Sequence, residues 1–361
     1  MKNSSSEKIT ILRPLLIFLI VSTHIQGNLY RPDIKDIEFT VENFLHALLS
    51  GSIAISALPL LSIISGYLAG RTYQKYSYSQ TIKSKTSRLL FPMIFWNLVL
   101  AIYIYQSQAL GFPRRPDLML YPFNIENWLY GLLSLFKLPA NQPLYFLKEL
   151  FLCFTILPIL YRISKNPTAT ILFLCVIAFM SVSSINLGGF FHRIDIYGFF
   201  VVGLFIYNHQ EQINKKSNLA NKKNQYIFMF FYLILAIALT LYAFKKDNSN
   251  FIYYMKAMTV IGPLAFWLIG DYIRGYLKAF LKWLSPAAFP VFLGHILILN
   301  IYWDQWSGYF KATPITANYW IYWISSMVIC YAVLGLSAVI YRKVLGLIKT
   351  IKDRKKKTNC S

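Results

Sequence analysis

The stretch Ile11-Leu12-Arg13-Pro14-Leu15-Leu16-Ile17-Phe18-Leu19-Ile20-Val21-Ser22-Thr23-His24 decides the class of this protein. It forms the centre of an apolar block over 9–29. A helix needs about 20 such residues to cross a hydrocarbon core of roughly 30 Å. The block is too long for the apolar part of a cleaved signal peptide, and Ile25–Asn28 offers no small-residue cleavage site. Nine more blocks follow at 44–70, 88–106, 144–163, 168–186, 190–207, 225–244, 252–270, 283–303 and 319–345. The 190–207 block is the least apolar at its start, where Arg193 and Asp195 sit.

Composition agrees with that reading. Of 361 residues, 56% are hydrophobic and only 14% charged, against about a quarter charged in soluble domains. That balance excludes a polar tail, a collagen-like fibre and a disulfide scaffold. The expected fold is all-α, a polytopic transmembrane bundle of about ten helices. The four cysteines, Cys153, Cys175, Cys330 and Cys360, show neither CxxC nor metal spacing, so membrane packing and a free thiol in the tail account for them. No metal set is expected.

In a soluble chain the net charge of +22 would suggest nucleic acid. Here its placement argues otherwise, because membrane proteins gather Lys and Arg in cytoplasmic loops. With both termini assigned to the cytoplasm, the inside loops sum to +20 and the outside loops to +1. The orientation read from this has both ends cytoplasmic and no nucleic-acid partner. The longest outside loop, 107–143, is too short for a core of its own, so one membrane domain is expected over 1–361. Within that loop Ile125–Leu138 reads as a re-entrant or interfacial helix. The basic tail, about 346–361, holds the cluster Lys352–Lys357, suited to anionic membrane lipid.

Ionisable groups in a spanning helix cost roughly 2.5–3.5 kcal/mol for an arginine at the centre, so they need a reason to stay. Arg13 and His24 are eleven residues apart, which at 3.6 residues per turn leaves them within about 20° on one helix face. Their Cα atoms lie about 16 Å apart along the axis. Arg13 near the inner boundary fits either snorkelling or function. His24, deep and beside Ser22 and Thr23, favours function. His192 and Asp195, three apart, read as a structural pair. His46 and His209, near block boundaries, read as water-facing.

Arg-x10-His on the first helix resembles the signature of the acyltransferase-3 family of bacterial integral-membrane sugar O-acyltransferases. Ile64-Ser65-Gly66-Tyr67-Leu68 resembles that family's Ser-Gly-Tyr motif, and Lys85-Thr86-Ser87-Arg88-Leu89-Leu90-Phe91-Pro92 its Arg-x-x-Arg segment. Pro143-Leu144-Tyr145-Phe146-Leu147-Lys148-Glu149-Leu150 is similar to its Pro-Leu-Trp-Phe-Leu-x-Asp-Leu segment. Gly198-Phe199-Phe200-Val201-Val202-Gly203 matches its Phe-Phe-x-x-Gly block, and Phe292-Leu293-Gly294-His295 its late Tyr-Leu-x-His. The likeness spans essentially the whole chain. Three departures stand out: Lys85 for the first Arg, Glu149 for Asp and Phe292 for Tyr.

The resemblance implies acyl transfer, usually of acetyl, from cytoplasmic acyl-CoA to a hydroxyl of a surface polysaccharide such as O-antigen or of a lipid-linked oligosaccharide. The enzyme would lie in the bacterial inner membrane, with acetyl-CoA as a donor substrate and no permanently bound cofactor. A sugar hydroxyl needs a base, and a neutral His serves near pH 7, so His24 is the expected general base. Arg13 would grip donor phosphates or pantetheine, or stabilise the thioester oxyanion. The polyanionic donor would meet Arg71, Lys85 and Arg88, with Ser65, Gly66 and Tyr67 lining its path. Ser65-Gly66 also reads as a packing and helix-termination feature. Glu149 and His295 are the candidates for orienting the acceptor or the catalytic histidine. The competing reading is a lipid-linked glycan transporter or polymerase without acyl transfer. That class predicts charges scattered over many helices, whereas here they concentrate in the first and fourth.

Overall fold

The computed structural model describes residues 2–25, 38–112, 114–183, 189–216, 221–245, 251–310 and 319–358. Among them the regular elements are all helical, with no strand. In chain order these are α1 (Lys2–His24), α2 (Val41–Ala47), α3 (Ala57–Tyr73), α4 (Tyr78–Lys85), α5 (Phe91–Ala109) and α6 (Ile125–Leu133). Next come α7 (Tyr145–Thr155), α8 (Leu157–Lys165), α9 (Pro167–Val182), α10 (Asp195–Asn208) and α11 (Gln210–Lys216). The last are α12 (Lys222–Ala243), α13 (Phe251–Tyr272), α14 (Gly275–Leu284), α15 (Ala288–Phe310) and α16 (Tyr319–Thr358). Cys360 lies outside the described residues.

Within the described residues, most of each apolar block of the sequence is helical. Five stretches are long and apolar enough to cross a membrane: Val41–Tyr73, Tyr78–Ala109, Lys222–Ala243, Gly275–Phe310 and Trp320–Ser337. A sixth results if α7 and α8 count as one span bent by 71°. The bend has a local cause, since Pro158 lacks an N–H and its ring crowds the carbonyl four residues back. Among the described residues the remaining blocks do not combine that length and apolarity. α9 has 16 residues and α10 has 14, while α1 carries Glu7, Lys8 and Arg13. α16 continues as helix through the basic cluster to Thr358.

The helices group into two compact units. One joins the two ends of the chain, 1–28 with 273–361, and the other is 29–272.

In the second unit α3 and α10 make the most extensive helix pair. Glycines permit it. A methyl at Gly66 would lie 2.0 Å from the Phe200 carbonyl oxygen, and one at Gly203 would lie 2.0 Å from that of Ile63. Small residues let membrane helices approach backbone to backbone in this way. Gly66 therefore marks a helix crossing, and α3 runs past it to Tyr73 with no termination there. The Val41–Tyr73 span is irregular at its middle, π-helical over Leu48–Ile53 and 3-10 over Ala54–Ser56. Ser52 hydrogen-bonds Thr240 at 2.7 Å and Ser56 bonds Tyr232 at 3.1 Å, which ties this irregular turn to α12.

Segments assigned to one side of the membrane meet each other. Gln74 bonds Tyr161 at 2.9 Å and Tyr207 at 2.6 Å, while Asn208 bonds Ser164 at 2.8 Å. In the first unit Glu7 pairs with Lys278 at 3.1 Å and with Lys282. The loop between α5 and α7 is built around two side chains. Gln108 donates to the carbonyls of Arg114 and Leu118 and accepts from the Leu120 and Tyr121 amides. Arg115 donates to the Pro139 and Ala140 carbonyls at 2.9 and 3.0 Å and is paired with Asp117. The helix in this loop covers 125–133 and stops at Ser134, whose φ of 60° is left-handed.

Candidate functional site

In the first unit α1 packs against α15, and this brings two histidines together. The ring of His24 lies 5.4 Å from that of His295, centroid to centroid, with the planes tilted by 47°. His24 is half-buried and His295 fully buried. Ser22 and Thr23, beside His24, donate their hydroxyls to carbonyls of their own helix at 2.7 Å each. Arg13 is exposed and pairs with no carboxylate among the described residues. Its neighbour Pro14 accepts a hydrogen bond on its carbonyl from Tyr331 at 2.8 Å, fixing α16 to α1. The sequence reading had no signal for Tyr331, which is one of 26 tyrosines.

In the second unit the residues proposed for the donor divide. Arg88 lines an open recess of about 400 Å³ with Gln80, Lys83, Ser84 and Ser87. Lys85 instead places its ammonium 4.2 Å over the ring of Phe154 on α7. A spacing of three would put Lys85 and Arg88 on one α-helical face. The chain, however, winds as a π-helix over Thr86–Leu90, with bonds to the fifth residue, and that changes the register between them. Lys83, five residues before Arg88, takes the place beside it. Sequence reading counted Lys83 toward topology alone.

Ser65 donates to the Leu61 carbonyl of its own helix at 2.8 Å. The Tyr67 hydroxyl donates to Gln210 at 3.3 Å, and its ring meets Tyr207 edge-on at 5.7 Å. Arg71 is exposed in the last turn of α3.

Glu149 is fully buried and has three partners within its own unit. One oxygen accepts from the Tyr197 hydroxyl at 2.8 Å. The other accepts the His192 backbone N–H at 2.9 Å and lies 3.4 Å from the Lys148 ammonium. Lys148 also donates to the carbonyls of Ser134, at 2.9 Å, and Phe190. A buried charge is tolerable when its hydrogen-bonding capacity is met in this way.

His192 and Asp195 do not pair. α10 begins only at Asp195, so the helical spacing assumed for them is absent. His192 bonds the Ser134 carbonyl at 3.0 Å through Nε2, and Asp195 pairs with Arg193 at 2.5 Å. His46 is 2% exposed, not water-facing, because α2 already begins at Val41. His209 is half-buried and stacks on Phe205 at 4.2 Å. Among the described residues no three His, Cys, Asp or Glu side chains converge as metal ligands would.

Comparison with known proteins fits this inventory. The family profile described as an acyltransferase domain matches residues 7–342. The chain is similar to the succinoglycan biosynthesis protein ExoH of Rhizobium meliloti (strain 1021), with 28% identity over 309 residues. That match covers 84% of this chain and 80% of the relative. No solved structure matches. Because the profile takes in nearly the whole chain, from Glu7 through Arg13, His24, Glu149 and His295 to Arg342, the protein belongs to the acyltransferase-3 family.

Proposed function

We propose that this membrane acyltransferase transfers an acyl group, acetyl by the family's usual preference, from cytoplasmic acyl-CoA to a surface-polysaccharide or lipid-linked oligosaccharide hydroxyl. His24 acts as the general base, and both chain ends lie on the cytoplasmic side of a bacterial inner membrane. The observation that carries this reading is the His24–His295 pair, an imidazole held against a second buried imidazole in a member of an acyltransferase family. Neutral imidazole is suited to taking a proton from a sugar hydroxyl near pH 7. Support for a glycan acceptor comes from the similar protein, whose name places it in succinoglycan biosynthesis.

Acyl-CoA is a polyanion, and Arg88 with Lys83 and the recess hydroxyls offers charge-assisted donors of the kind phosphates need. Arg71, exposed in the last turn of α3, adds a further cation in this reading, whereas Gly66 is taken up by the crossing with α10 and Lys85 by the ring of Phe154. Arg13, without a carboxylate partner among the described residues, is available to the donor or to the thioester oxyanion. The orientation is supported by the pairing of Glu7 with Lys278 and Lys282, since both segments are assigned to the inside on charge.

The test compares surface glycan from cells with and without the gene by mass spectrometry, with His24→Ala as a third strain. Loss of one acetyl mass per repeat is expected in the deletion strain. His24→Ala is expected to lose about 100-fold or more in transfer rate while keeping normal abundance in the membrane. Full acylation in that strain would remove His24 as the base.

A further inference from the structure

His295 has one nitrogen occupied and one orphaned. Its Nδ1 donates to the carbonyls of Val291 and Phe292 at 3.1 and 2.9 Å. A carbonyl only accepts, so Nδ1 carries the proton and Nε2 of the neutral ring carries a lone pair. The side chain is fully buried, and among the described residues Nε2 has no hydrogen-bond partner. Buried polar atoms in native proteins nearly always have partners, and the exceptions call for an explanation such as a catalytic role. Nδ1 bonds back along α15, so Nε2 lies on the far side of the ring from those carbonyls. The neighbouring ring is that of His24, 5.4 Å away and in the same compact unit.

Resting on the reading of His24 as the base, we propose that His295 is its positioning residue. During transfer Nε2 of His295 accepts the N–H of His24, which leaves the other His24 nitrogen as the lone pair that faces the acceptor hydroxyl. The acceptor O–H bond breaks as its oxygen bonds to the acyl carbon, and the proton passes to that other nitrogen. The C–S bond then breaks, and the departing CoA sulfur takes the same proton from His24. His24 keeps its N–H toward His295 throughout, so His295 gains and loses nothing. A neutral imidazole here performs the orienting part that a carboxylate plays in hydrolase triads. It does so without a second buried charge, which would be costly to desolvate.

The test uses purified full-length protein in lipid nanodiscs, labelled acetyl-CoA, and glycan extracted from the deletion strain as unacylated acceptor. Wild type is compared with His24→Ala, His295→Phe and His295→Gln. Phe keeps a ring and lacks the acceptor; Gln restores one through its side-chain carbonyl. The Phe variant is expected to lose about 100-fold or more in kcat, with KM for acetyl-CoA within about twofold of wild type. The Gln variant is expected to recover at least about tenfold over Phe.

Wild-type kcat in the Phe variant, with His24→Ala inactive, would overturn this role for His295 and leave the base assignment standing. Equal loss in Phe and Gln variants that both accumulate would overturn it as well. Activity retained in His24→Ala would sink the base assignment itself. Should the Phe variant fail to accumulate, ring-nitrogen spectra of histidine-labelled wild-type protein decide the matter. A single His24 tautomer with acetyl-CoA bound supports the proposal, and a mixture of both overturns it.

Discussion

Arg88 and Lys85 show how far single residues can be read. Their charge and their place at the head of an apolar block are legible in the sequence, and the proposed polyanionic donor would need such cations. The π-helical winding over Thr86–Leu90 is not legible, because no residue type signals it, and it sends Lys85 to Phe154 and Arg88 to the recess with Lys83. Replacing both Lys83 and Arg88 with Gln is expected to raise the apparent KM for acyl-CoA about tenfold or more, since each charge-assisted contact contributes roughly 1.5–3 kcal/mol. Lys85→Gln should leave that KM within about twofold and act on stability instead. Steady-state kinetics on the purified protein separates the two outcomes. The histidines follow the same rule. Each stood out alone as an ionisable group in an apolar block, but nothing in the linear order paired position 24 with position 295. Glu149 stood out likewise, while its partners His192 and Tyr197 come from a segment more than 40 residues away.

At the scale of elements, the apolar blocks were the strongest signal, and within the described residues most of each block is helical. Their ends were weaker, because Pro158 bends one block by 71° and α10 starts later than its block does. Gly66 and Gly203 were visible as motif residues, yet their meaning came only from the crossing of α3 and α10. Ala at either position is expected to destabilise the protein by about 1–3 kcal/mol, toward the upper end because the obstacle is backbone. A lowered Tm in detergent, with His24 chemistry unaffected in the surviving fraction, would be the measurable result.

The loop between α5 and α7 supplies a pH test at the same scale. The Arg115 guanidinium, hydrogen-bonded to Asp117, holds that carboxyl below its ordinary value of 3.8. A carboxyl lowered by folding stabilises the loop above its unfolded pKa and loses that effect as pH falls through the folded one. Protection of the 110–124 segment from an acid-active protease should therefore be flat from pH 7 to about pH 4 and decline below. Asp117→Asn should abolish that dependence.

For the whole molecule, the proposed orientation rests on the excess of Lys and Arg in alternate loops. It is checked by single cysteines in a Cys175→Ser, Cys360→Ser background. Ser79→Cys is expected to resist a membrane-impermeant maleimide in intact cells, and Phe123→Cys to react with it. The reverse pattern would invert the topology and with it the cytoplasmic donor side. The division into two units was not legible, because one of them is made from opposite ends of the chain.

That division has a consequence for biosynthesis. His24 leaves the ribosome early, but the helix that bears His295 follows about 270 residues later. At roughly 5–20 residues per second, the first helix waits about 15–55 s in the bilayer before its partners exist. Throughout that interval Arg13 and His24 lack α15 and α16, so on the roles proposed for His24 and His295 the nascent chain would be inert toward thioesters. Under that proposal activity would begin only when translation is nearly complete, and chains cut short before α15 would lack the His24–His295 pair however well their middle helices have inserted.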